Sequence, residues 1–145
     1  MKTYSLFTCS LLLLLLLVTS CHPGVVVDLF NNSGQDLTVV TINQGFEDTI
    51  YHVKKGRILR IGVSAKLRIE HLNENWNYER MAIPQQFWKR ENFMISVINL
   101  QIEKDGMIYM LLPDARGLQA NLPPQPTGYP LKPETAVQNF RSSSN

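Results

Sequence analysis

Cysteine is scarce in this sequence: 145 residues carry two, Cys9 and Cys21. Cys9 falls inside an apolar N-terminal stretch, which leaves Cys21 without a partner in the body of the protein and excludes a disulfide framework. Charge of one sign is also lacking. Beyond residue 20, 13 Lys and Arg (14 less Lys2) stand against 12 Asp and Glu, a balance with no bulk attraction for nucleic acid. Histidine is limited to His22, His52 and His71, at spacings that match no metal-site pattern, so neither a metal nor a cofactor is expected. His71 reads as a buried or rim histidine. The strings Gly-x-Ser-x-Gly, Ser-x-x-Lys and His-Glu-x-x-His are missing, as is a Gly-rich phosphate loop. Carboxylates are scattered, and although a glycosidase pair is defined in space rather than by spacing, nothing marks one here. The expectation is a protein that is not an enzyme.

A long apolar run is lacking as well. The longest, Leu6 to Val18 with seven leucines at its centre, is too short for a spanning helix, which needs roughly 20 residues. Following Lys2 and preceding the small residues Thr19 and Ser20, it has the make-up of a secretory signal, expected over residues 1–20. Val18-Thr19-Ser20-Cys21 resembles the lipobox of bacterial lipoproteins. That resemblance implies diacylglycerol on the Cys21 sulfur, cleavage before Cys21 and acylation of the new amine. Because each buried CH₂ contributes about 0.8 kcal/mol, two or three acyl chains hold firmly where one would not. An ordinary secreted protein with a chance cysteine is the alternative. His22 stands where an Asp would imply retention at the inner membrane, so the resemblance points to the outer membrane, facing the periplasm. Residues 21–24 are the lipidated cysteine and its tether, which spans at most ~11 Å when fully extended. The body is therefore expected close to the lipid surface.

The 125 residues after the leader are enough for one domain with a real core. Val25–Phe30 is rich in β-branched residues and runs into a turn at Asn31–Gly34; Leu37–Ile42 and Thr49–Val53 are further strands. Residues 31–38 resemble the turn-plus-strand of many small proteobacterial lipoproteins of unknown role, a resemblance that implies no chemistry. Arg57–Val63 and Lys66–Leu72 read as a hairpin centred on Ser64, with Ile61 opposite Leu67, Arg60 opposite Arg68 and His71 opposite Arg57. Trp76–Ile83 is aromatic and loosely alternating, Pro84 ends it, and Gln85–Asn92 has room for a helical turn or two. Phe93–Glu103 and Met107–Leu112 flank Lys104-Asp105-Gly106. A three-residue loop with Gly106 left-handed keeps apolar residues together, pairing Ile102 with Ile108 and Leu100 with Met110. Six of the eight prolines lie at 113 or later, where they favour extended chain. The resulting expectation is all-β: an antiparallel sandwich of the Ig-like or transthyretin-like kind over residues 25–116, with a Pro-rich extended tail over 117–145.

Three features could carry binding. Arg60, Lys66 and Arg68 form a basic face in the expected hairpin, whose bland reading is solvated edge charge and whose sharper reading is an anionic partner. Trp76, Tyr78, Phe87, Trp88 and Phe93 could stack on sugars or anchor a protein, although such residues are more often core. Trp88, followed by Lys89 and Arg90, is the one expected to be exposed. The proline-rich tail is a ligand, an added strand, or a cover for the apolar face of Met107, Tyr109 and Leu111, with cover favoured. Together these suggest a membrane-anchored periplasmic binding or adaptor module, for which an inhibitor or immunity-type protein is the most concrete version, with a protein partner in the envelope. The alternative is a carbohydrate-binding or hydrolytic domain built on Trp76 and Trp88.

Overall fold

The computed structural model describes residues 24–42, 45, 47–63, 66–71, 74–79 and 83–136. The expected leader over residues 1–20, Cys21, His22 and Pro23 lie outside these residues, as do Ser64 and Ala65. The chain is mostly β, in two sheets, with no α-helix among the described residues. Its strands are β1 (Gly24–Asn31), β2 (Leu37–Ile42), β3 (Thr49–Val53), β4 (Ile58–Gly62), β5 (Lys66–His71), β6 (Glu74–Tyr78), β7 (Lys89–Arg90), β8 (Ile95–Ile102), β9 (Ile108–Met110) and β10 (Glu134–Ala136). A single 3₁₀ turn covers Gln85–Phe87.

The first sheet runs β4-β1-β8, and the far edge of β8 is shared by β7 and β9. The second sheet runs β10-β6-β5-β2-β3 and is antiparallel throughout. Alternation decides which side chains face inward. In the first sheet Val27, Leu29, Ile61, Ile98, Leu100, Ile102, Ile108 and Met110 are buried; in the second Leu37, Val39, Val53, Leu67, Ile69, Trp76 and Tyr78 are buried. All of them belong to one core cluster, so the sheets bury their inner faces together.

Two expectations are corrected. The first sheet is mixed rather than antiparallel, because β1 and β8 run parallel from Gly24↔Ile95 to Asn31↔Ile102. Parallel neighbours need a long connection, and here it comprises every residue from 32 to 94, including most of the second sheet. The hairpin of 57–63 with 66–72 does not form. β4 pairs with β1, and β5 has both edges occupied, by β2 and β6. Arg60 thus lies opposite Asp28, Arg68 opposite Val40 and Asn77, and His71 opposite Glu74. The inward residues of both segments were legible from alternation; their partners were not.

The loop between β8 and β9 follows the expected register, with Leu100↔Met110 and Ile102↔Ile108, and Gly106 at φ +77°. Tyr78 Oη donates to the Gly106 carbonyl at 2.6 Å, which ties this loop of the first sheet to the second. Trp76 lies against the same loop and stacks on His71 with ring centroids 4.0 Å apart.

The proline-rich segment is packed onto the body. Asn99 and Gln101 point away from the core yet are buried, because the chain after β9 lies over them. Asn99 Nδ2 donates to the carbonyls of Leu112, Pro113 and Ala115, while Gln101 exchanges two hydrogen bonds with the backbone of Gln119. Further on, the Gln125 amide both accepts from Met110 N–H and donates to Met110 C=O, and Leu131 exchanges two backbone bonds with Ile108. The segment therefore covers one face and one edge of the first sheet before β10 joins the second.

Candidate functional site

The four binding residues marked in the sequence separate in space. Arg60 lies on the outer face of the first sheet. Its guanidinium grips Asp28 with two bonds of 2.7 and 2.9 Å and reaches Glu91 at 3.2 Å. The Asp28 hydrogen bond is the main reason this guanidinium holds its proton more tightly than usual. Lys66 and Arg68 lie on the outer face of the second sheet. Lys66 bonds Glu79 at 2.7 Å, and that bond raises its affinity for the proton. Arg68 Nε stands 3.8 Å from Glu70 and is buried without a hydrogen-bond acceptor among the described residues. No shared basic face joins the three, because the hairpin that would have aligned them is absent.

Trp88 is half-buried rather than open. It packs against the core, and its indole N–H donates to the Ile83 carbonyl at 3.3 Å. Trp76 is 3 % exposed. Phe93 is the aromatic that stands in solvent, at 77 % exposure.

Around Arg60 the structure assembles cations that sequence reasoning had not grouped. A hollow of about 320 Å³ on the outer face of the first sheet is lined by Asp28, Phe30, Ile58, Arg60, Lys89, Arg90, Glu91, Val97, Asn99, Ala115 and Arg116. Three elements build it. β1 and β4 supply its floor at Asp28 and Arg60, which pair across the ladder. β7 brings Lys89 and Arg90 alongside Val97 and Ser96 of β8. The covering segment brings Ala115 and Arg116, held there by the bonds from Asn99.

Its electrostatics are one-sided. Four cations meet two carboxylates, and both carboxylates are engaged by Arg60. Lys89, Arg90 and Arg116 form no ion pair among the described residues. Two of its lining residues, Phe30 and Val97, are apolar and buried. A partly apolar hollow with surplus positive charge suits a carboxylate or phosphate carried on an apolar stem. The adjacent Lys89 and Arg90 were a local signal for β7's part in it. Arg116 carried none, because only the fold of the covering segment places it there.

A larger hollow of about 460 Å³ lies over the second sheet, lined by Asp36, Leu37, Thr38, His52, Val53, Lys54 and Glu70. Thr38 Oγ1 and His52 Nδ1 meet at 3.2 Å inside it. Its two carboxylates, Asp36 and Glu70, outnumber its one lysine, Lys54, so it offers no surplus of positive charge to an anion. Among the described residues no group of three His, Cys, Asp or Glu side chains converges to hold a metal ion. Comparison with protein-family models, curated proteins and solved structures returns no match for the chain.

Proposed function

We propose that this chain is a lipid-anchored binding module of the bacterial envelope, attached through Cys21 at the outer membrane and facing the periplasm, that takes an acidic group of a protein partner into the hollow around Arg60. The reading of the anchor rests on Val18-Thr19-Ser20-Cys21. The reading of the hollow rests on one observation: Lys89 and Arg116 line it with no carboxylate of their own among the described residues, since Asp28 and Glu91 are committed to Arg60. We read the two layers as a sandwich of the Ig-like or transthyretin-like kind, supported by the single core between them. The module acts by binding rather than by catalysis. A carbohydrate-binding or hydrolytic role would need Trp76 or Trp88 as an open stacking surface, and both spend their rings on the core.

Capture of the lipidated chain from envelopes, in parallel with a Lys89→Glu, Arg116→Glu double variant, tests this reading. The expected result is a partner retained by the parent chain and lost tenfold or more from the variant, with the parent interaction weakening as salt rises. Both positions are exposed, so the melting temperature should stay put. A partner held equally by both proteins would place the binding surface elsewhere.

A further inference from the structure

The end of the first sheet where the tether joins has a second property. Gly24 opens β1, and its N–H donates to the Met94 carbonyl at 2.6 Å. The loop 91–94, between β7 and β8, thus sits directly beside the point where the chain arrives from Cys21. This loop is built, not slack. Asn92 Oδ1 accepts from the N–H groups of Met94 and Ile95 at 2.8 and 2.9 Å, and the N–H groups of Glu91 and Asn92 both donate to the Ile95 carbonyl. Held in that turn, Phe93 projects with 77 % of its surface exposed and Met94 with 43 %. Arg90 leans over the loop and donates to the Phe93 carbonyl at 3.4 Å. Val63, next to Gly62 and hence level with the start of β1, is exposed at the same end.

Two exposed apolar side chains at a loop tip, with Lys89 and Arg90 behind them, make the make-up of a segment that dips into a lipid interface: apolar groups below the headgroups, cations at the phosphates. On a freely diffusing domain such a tip would be a liability. Here the tether decides its surroundings, because three residues reach at most ~11 Å. We infer that the 91–94 loop is a membrane-inserting wedge: Phe93 and Met94 enter the bilayer that holds the acyl chains, Arg90 meets lipid phosphate, and β1 stands away from the surface. The opposite end of β1, near Asn31 and Lys55, would then lie about 23 Å further out at ~3.3 Å per residue. This orientation rests on the anchor proposed above and adds a second, non-covalent point of contact that fixes how the hollow is presented.

The test uses the intact chain as produced in membranes, reconstituted into phosphatidylglycerol vesicles with brominated acyl chains. Tryptophan is placed in one variant at the wedge, Phe93→Trp, and in another at the far end, Lys55→Trp. Intact mass on the same preparations reads acylation of Cys21 separately. The expected result is strong quenching of the added fluorescence in Phe93→Trp and none in Lys55→Trp, relative to the parent chain. An acylated chain whose position 93 is unquenched overturns the wedge and leaves the anchor standing. A chain without acyl mass overturns the anchor, and position 93 still reads the wedge: quenching keeps it, and an unquenched probe removes it too. Equal quenching at both positions overturns the orientation.

Discussion

At the residue scale, Gly106 is the most crowded of the described glycines. Its φ of +77° lies in the left-handed region, and a Cβ there would stand 2.9 Å from Trp76 Cδ2 and 3.1 Å from Pro133 Cγ. Neither an indole in the core nor a proline ring can swing aside cheaply. Gly56 shares the left-handed backbone, at φ +71°, but has open space where a Cβ would go. Gly56→Ala should therefore cost about 1 kcal/mol, from backbone strain alone. Gly106→Ala should cost more than about 2 kcal/mol, because overpacking adds to the strain. Urea midpoints at unchanged slope would measure both. Equal costs would mean that Trp76 and Pro133 do not enclose the loop. The left-handed glycine was legible in the sequence from the apolar pairs it keeps together. The rings that crowd it come from residues 30 positions before it and 27 after, and no local pattern could have named them.

At the element scale, the covering segment is held by amides rather than by a continuous ladder. β9 has only three residues, and its outer edge would be left open. The Gln125 side chain stands in for a strand partner at Met110, and Leu131 does so at Ile108. Prolines suit this route, since a chain with few donors can cross a sheet face without leaving many unpaired. Gln125→Ala would leave the N–H and C=O of Met110 without that partner, an expected loss of about 1–3 kcal/mol. In hydrogen exchange, amides of β9 should open faster while those of β2 and β5 stay protected. Uniform acceleration across both sheets would show that the edge and the core unfold as one unit. The tail lies against the first sheet through Gln119 on Gln101 and Gln125 on Met110. The chain just ahead of the tail, at 112–116, encloses Asn99 and builds one wall of the hollow.

At the scale of the whole molecule, alkaline pH should expose how much the folded state relies on neutral tyrosine. Burial pushes the Tyr129 hydroxyl up to about 12, and burial followed by the nearby Asp105 charge pushes Tyr78 upward as well. A free tyrosine ionises near ~10. Below that pH both states hold the proton and the stability is unaffected. As pH rises from about 10 towards 12, the unfolded chain releases protons that the folded chain keeps, so stability should fall across that window. Denaturant titrations at a series of pH values would show the slope. Tyr129→Phe should flatten it while leaving neutral-pH stability equal or higher, because the Tyr129 hydroxyl is buried without a partner among the described residues. A slope unchanged in that variant would assign the alkaline loss to other groups.

The sequence by itself determined local features: most of the longer strand segments, the inward faces of β4 and β5 and the loop at Gly106, but not the short strands β7 and β10. Each of these depends on neighbours within a few residues, where side-chain alternation and turn chemistry act. The tertiary structure alone decided which strands pair. β4 and β5 are close in sequence and each has a clear apolar face, yet they belong to different sheets. β4 gains Asp28 as the partner of Arg60 by lying on β1, and β5 is enclosed by β2 and β6. The candidate site followed that choice. A basic face drawn along one hairpin became a hollow assembled from β1, β4, β7 and the segment after β9, because a sheet gathers charge across strands that the chain visits at widely separated times.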